Sequence, residues 1–197
     1  AEDAGLVKID LLGNRSLAVI RDALAAIDTN SGRTIDYAAW DPISDTATQE
    51  LIRRGDTMGC FYVESPATRL LLKKLWTTMP PARRAQADVF EYLVAVSSII
   101  RPAANVFADD FVRRAHGQPY CALHPLLETV LAETHGIMVY QEDVMKVAVA
   151  LGGFSVHDGD QLRKILSKKH KERQLRDYQR QFYAGAAARQ IARAVVD

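Results

Sequence analysis

GLVKIDLLGNRS, residues 5–16, sets a single carboxylate, Asp10, among Leu6, Val7, Ile9, Leu11 and Leu12. A run this short and this apolar, stopped by Gly13 and Asn14, reads as a buried strand. Burying a carboxylate is costly unless it is paired, hydrogen-bonded or bound to a metal. Asp10 is therefore either a structural acid at the exposed end of the strand or the reason the stretch exists. The residues around it leave both readings open.

Working outward, 197 residues suffice for one domain with a real core or for a large piece of a longer protein. A hydrophobic content of 48% with 25% charged residues excludes a disordered chain. Two cysteines, Cys60 and Cys121, make no disulfide framework and fit a reducing cytoplasm. No apolar stretch approaches the ~18 to 20 residues of a membrane span, and no signal peptide is visible. The acidic start without Met, and an end with no stop signal, read as a piece of a longer protein. Charge is unevenly spread. Residues 163–193 hold ten Lys or Arg against two acids, a balance of +8, while residues 1–162 carry −6. A basic end on an acidic body points to a polyanion partner or to a solvated basic helix.

The periodicity predicts a mainly α chain with a few short strands. Leu17, Ile20, Leu24 and Ile27 recur at helical spacing after the first strand. Ile35 to Trp40 reads as a short extended piece, and Ser44 or Asp45 opens a helix through Arg54. Met58 to Val63 is apolar, aromatic and bounded by turns, so it reads as a second strand. Ser65-Pro66 starts a helix reaching Trp76, and Met79-Pro80-Pro81 is a connector. Asp88 caps a helix that stops near Arg101-Pro102, and another runs from Asn105 to His116. After a loop, His124-Pro125 leads into a helix over 126–132. Residues 137–140 are extended or begin the next helix, which runs over 144–151 and ends at Gly152-Gly153. Ser155 and Asp158 are caps for a helix through Leu166, with the pair Asp158 and Asp160 assigned to capping. A last helix, about 171–194, is anchored by Tyr178, Phe182 and Ile191.

Several chemistries fail on spacing. His116, Cys121, His124 and His135 match no paired zinc pattern. No nucleophile elbow surrounds Ser65, and no phosphate-cradling glycine loop is present. The segment QLRKILSKKHKER, 161–173, is more informative. Its bases, Arg163, Lys164, Lys168 and Lys169, gather at a junction between helices, which suits a triphosphate or a nucleic-acid backbone.

At this point the sequence resembles a known family. GLVKIDLLGNRSL looks like the strand bearing the third catalytic aspartate of bacterial DNA polymerase III alpha subunits, the C-family replicative polymerases. CFYVES (60–65), IIRP (99–102), DDFVRRAHG (109–117), HPLLETVLAETHGIMVYQEDVM (124–145) and GGFSVHDGDQLRKILSKKHKE (152–172) follow in the family's order. The resemblance covers most of residues 4–187. It implies a partial palm over 1–28, with a palm-derived strand and its helix, and a helical fingers domain over 29–197. It implies that Asp10 is a catalytic, Mg²⁺-binding aspartate, one of three palm carboxylates holding two metal ions. Arg163, Lys164, Lys168 and Lys169 match the family's nucleotide-phosphate contacts. Glu64, Ser65 and Tyr140-Gln141-Glu142 match segments near the nucleotide pocket and are given a shaping role. The implied substrates and partners are dNTP, primer–template DNA and other replisome subunits reached through other segments. The implied location is the cytoplasm, with no membrane association.

The chain also departs from the family. Lys164 replaces the second arginine of the usual pair, and Lys lacks the bidentate fork. Ser167 and His170 stand where glycine and lysine are usual. Ala103-Ala104 replaces Gly-Pro, and Asn14 replaces an apolar residue. These departures suit a divergent paralogue. Two readings stand: a piece of a DNA-directed DNA polymerase that is inactive alone, or a non-catalytic helical module binding nucleic acid or protein.

Overall fold

The computed structural model describes residues 9, 11, 13, 15–101, 104–166 and 172–197. The chain divides into two compact units, 1–44 and 45–197. Among the described residues the architecture is helical and forms no strand. The mainly α class therefore holds. The strand read at Gly5–Leu12 lies almost entirely outside the described residues, and Asp10 with it.

In the first unit, helix α1 (Arg15–Ser31) extends one turn past the expected Ile27. Ser31 Oγ donates to Ile27 O at 2.7 Å and Thr29 Oγ1 to Ala25 O at 2.9 Å. These side chains back-bond onto carbonyls near the helix end instead of breaking it. Residues 35–40 are not extended: Asp36 accepts from Ala38 N and caps a single 3-10 turn at Tyr37–Ala39.

The second unit opens with α2 (Thr46–Arg54), capped by Asp45, whose carboxylate accepts from Thr48 N at 2.7 Å. Gly55, at φ 67°, ends it. Residues 58–63 then form turns instead of the expected strand. Gly59 and Tyr62 both take positive φ, outside the extended region of a regular strand, and the buried Thr57 hydroxyl donates to Val63 O at 2.6 Å and closes the loop. The apolar run that suggested a buried strand instead leaves Met58, Phe61 and Tyr62 exposed.

Helices α3 (Pro66–Thr77), α5 (Val89–Ile99) and α6 (Ala108–Ala115) build the first core, and the short α4 (Pro81–Gln86) lies between α3 and α5 in the chain. Ser65 and Asp88 cap α3 and α5 as expected. The connector at 79–81 leads into α4, a six-residue helix with Pro81 in its first turn. The helix expected over 105–116 is split into a 3-10 turn, Asn105–Phe107, and α6. Leu72, Leu75, Trp76, Val96, Ile99 and Phe111 are sealed from solvent. Each contributes roughly 1.5–3 kcal/mol by burial. The Tyr92 ring meets Trp76 edge-on at 5.5 Å and Phe111 at 6.1 Å, and the Arg53 guanidinium lies over the Trp76 ring, 5.3 Å from its centroid.

The second core joins α7 (Pro125–Val130), α8 (Gln141–Gly152) and α10 (Glu172–Ala188). Helices α9 (Val156–Leu166) and α11 (Arg193–Val196) complete the unit. The last expected helix breaks at residue 188. Gln190 takes φ 60°, Arg189 donates to Ala150 O, and Ile191 turns into the core. Glycine decides how α8 meets α10. A Cβ on Gly185 would lie 1.8 Å from Gly152 O, so only glycine lets the two backbones touch.

Candidate functional site

The site is built where α8, α9 and α10 meet. Asp143, in the first turn of α8, is buried, and its Oδ2 accepts from Val139 N at 2.9 Å and Tyr140 N at 2.8 Å. That double cap satisfies donors a helix start leaves orphaned. It also sets the register of the neighbouring residue, so that Glu142 faces α9. Gly153, at φ 70°, turns the chain, and Ser155 starts α9. Asp158 N donates to Ser155 Oγ at 3.1 Å, while the Ser155 hydroxyl donates to Asp158 Oδ2 at 2.6 Å.

Asp160 has a different role from the capping one read for it. Arg163 Nε and Nη2 donate to its Oδ1 at 3.0 and 2.8 Å, and Lys164 Nζ lies 2.8 Å from its Oδ2. Bonds from Lys164 and Arg163 hold the Asp160 carboxyl below the usual carboxylate range. One carboxylate thus fixes two adjacent cations, at the i+3 and i+4 positions that a helix turns toward it. This spacing was visible in the sequence, and the pairing with Asp158 obscured it.

The two cations do not share an outlook. Successive residues on a helix are about 100° apart. Arg163 turns toward α8, where Nη1 stands 3.9 Å from Glu142 Oε1, and only 26% of its side chain is exposed. Lys164 is 49% exposed and lines a groove of about 410 Å³ between α9 and α10, with Gln161, Gln174, Tyr178 and Gln181. Chemically, Arg163 offers an oriented guanidinium edge to an anion, and Lys164 offers an ammonium within a polar trough. Lys168, Lys169 and Asp10 lie outside the described residues.

The remaining polar residues singled out in the sequence are accounted for locally. His116 Nε2–H donates to Leu75 O at 2.7 Å, and His124 Nδ1 accepts from Leu126 N as the cap of α7. His135 Nε2 lies 3.1 Å from the Tyr92 hydroxyl, in the wall of a cavity of about 530 Å³. Burial, with Arg83 and Arg114 nearby, pushes the His135 imidazole below its ordinary value. Among the described residues no three His, Cys, Asp or Glu side chains gather as a metal site. No helix among them is long and apolar enough to cross a membrane.

With this geometry in place, the comparisons with known proteins are specific. The model of the bacterial DNA polymerase III alpha subunit finger domain matches residues 16–190. The DNA polymerase III subunit alpha of Neisseria meningitidis serogroup B is 39% identical over 189 residues, covering 96% of this chain and 15% of that protein. The subunit of the same name from Chlamydia pneumoniae is 38% identical over 169 residues, covering 85% of this chain and 13% of the relative. An error-prone DNA polymerase of Symbiobacterium thermophilum is 36% identical over 199 residues, spanning 100% of this chain and 17% of the relative. The chain therefore corresponds to a small fraction of the length of the proteins it matches.

Proposed function

The chain belongs to the bacterial DNA polymerase III alpha subunit finger-domain family, and from that premise we propose that it is the part of a DNA-directed DNA polymerase that holds the incoming dNTP by its phosphates. The observation that carries the reading is Arg163. Its guanidinium is pinned on Asp160 through Nε and Nη2, with Nη1 3.9 Å from Glu142 Oε1, so the group is oriented before any ligand arrives. Charge-assisted bonds from such a group to phosphate are about twice as strong as neutral ones. A cation fixed at this place stabilises charge developing on a transferring phosphoryl without having to reorganise. Lys168 and Lys169 are proposed to add charge to the same phosphates.

Asp10 is proposed to ligate Mg²⁺ in the full-length enzyme. A hard cation accepts a carboxylate oxygen, so the donor chemistry fits. One carboxylate is not a site, and the described residues gather no set of three. The remaining ligands are assigned to other segments of the full-length protein, and the chain alone is proposed to be inactive. Bound Mg²⁺ would neutralise phosphate charge and clamp the attacking and leaving oxygens.

The test is primer extension by the full-length protein with dNTPs and Mg²⁺, wild type against Asp10→Ala. Losing a metal ligand should cost about 3 kcal/mol or more of transition-state stabilisation, a fall of roughly a hundredfold or greater in rate. Unchanged extension would remove Asp10 from the chemistry.

A further inference from the structure

The sequence presents Arg163 and Lys164 as one pair, and the structure holds both head groups on the Asp160 carboxylate while giving them different further neighbours. Arg163 lies against α8, and Lys164 enters the α9–α10 groove, with Asp160 holding both. The groove that receives Lys164 is walled by the amides of Gln161, Gln174 and Gln181, the phenol of Tyr178, the Ile165 side chain and the Asp177 carboxylate, which is paired with Arg180. Lys, Gln and Tyr side chains are the usual donors to nucleic-acid phosphates and sugars, and they carry no base-specific code in that role.

The adjoining face of α10 has the same character. Arg173, Arg176 and Arg180 recur at i, i+3 and i+7, so they fall in one stripe about 60° wide. All three are exposed. Arg180 is paired with Asp177, whereas no ion pair among the described residues engages Arg173 or Arg176. The stripe spans about 10 Å of helix at 1.5 Å per residue. That length matches about three phosphates of one strand at 3.4 Å of duplex axis each.

We propose that the adjacent cations serve two ligands. Arg163 takes the phosphates of the nucleotide, while Lys164 joins Arg173, Arg176 and Arg180 in a surface for the phosphodiester backbone of the primer–template. Asp160 anchors both donors, Arg163 on Oδ1 and Lys164 on Oδ2. Lysine suits its side of the partition, because a backbone phosphate in a groove asks for a point charge and not a bidentate fork. The division rests on the polymerase reading given above.

The experiment uses the full-length protein. Fluorescence anisotropy of a labelled primer–template, at several salt concentrations, gives the DNA Kd and its salt slope. Steady-state extension at saturating primer–template gives the dNTP KM. Lys164→Ala should weaken DNA binding several-fold and lower the slope of log K against log salt by about 1, leaving the dNTP KM within about twofold. Adding Arg173→Ala and Arg176→Ala should bring the total loss of slope to about 3. Lys164→Arg should restore DNA affinity, and Arg163→Ala should raise the dNTP KM with the slope unchanged. The proposal is overturned if Lys164→Ala raises the dNTP KM as Arg163→Ala does, or leaves the salt slope unmoved. A full-length protein that neither binds primer–template nor extends it would instead count against the polymerase reading itself.

Discussion

Replacing Asp143 by alanine should unseat the start of α8. The Asp143 carboxylate is almost fully buried and accepts two backbone N–H groups through one oxygen, from Val139 at 2.9 Å and Tyr140 at 2.8 Å. Alanine leaves both donors without a partner in a place that excludes water. Hydrogen bonds to a charged group are worth about 1.5–3 kcal/mol each, and stranding a buried donor costs about 1–3 kcal/mol. Two such donors set the loss at roughly 3–5 kcal/mol. Asparagine supplies one oxygen in the same place and can serve both N–H groups, but it turns an amide toward Lys146 Nζ, 3.6 Å from the present carboxylate. Asp143→Asn should therefore lose less than half as much as Asp143→Ala. Urea unfolding followed by far-UV circular dichroism, at constant m-value, measures both. A loss under about 1 kcal/mol for Asp143→Ala would refute the reasoning, because it would mean that the two N–H groups find water or another acceptor at little cost.

Gly185→Ala should destabilise the chain by about 1–2 kcal/mol in the same assay, although alanine ordinarily favours a helix by about 1 kcal/mol over glycine. The new Cβ meets the Gly152 carbonyl, a backbone atom with no rotamer to yield; an increase in stability would contradict the close α8–α10 contact. Acidification should weaken the fold through His135. Burial, with Arg83 and Arg114, places its folded value below the 6.5 of a free imidazole, so the unfolded chain takes up the proton first. Stability from this group is complete above about pH 6.5 and falls as pH drops toward the folded value. His135→Asn, which tolerates the φ of 54° at this position, should flatten that part of the stability–pH profile. An unchanged profile would show that His135 is not the titrating group.

The helices were legible where their ends carry chemistry. Asp45, Ser65, Asp88 and Ser155 each accept the capping bond that their position before an apolar-periodic run predicts. The reading failed where tertiary contacts override local pattern. Residues 58–63 have the composition of a strand, but the described residues form no strand for them to pair with, and the Thr57 clamp and two positive-φ residues win. The 3-10 turn before α6 and the break after residue 188 depend on packing that no periodicity encodes. At the site, residue types and order pointed to anion binding by Arg163 and Lys164. Their divergence could not be read, because it depends on which helix lies on each side of α9. Asp160 was readable from its i+3 and i+4 spacing to the two cations, and Asp158 drew it into the wrong role.

The account's central claim, that this fingers domain grips the incoming nucleotide through Arg163, is tested most directly by a dNTP titration of primer extension. The comparison is full-length wild type against Arg163→Ala at saturating primer–template. The oriented guanidinium on Asp160 predicts an apparent dNTP KM raised about tenfold or more, with primer–template affinity preserved; a tenfold change corresponds to about 1.4 kcal/mol of lost nucleotide interaction. An unchanged KM accompanied by weaker primer–template binding would contradict it, and would move Arg163 from the nucleotide to the DNA surface.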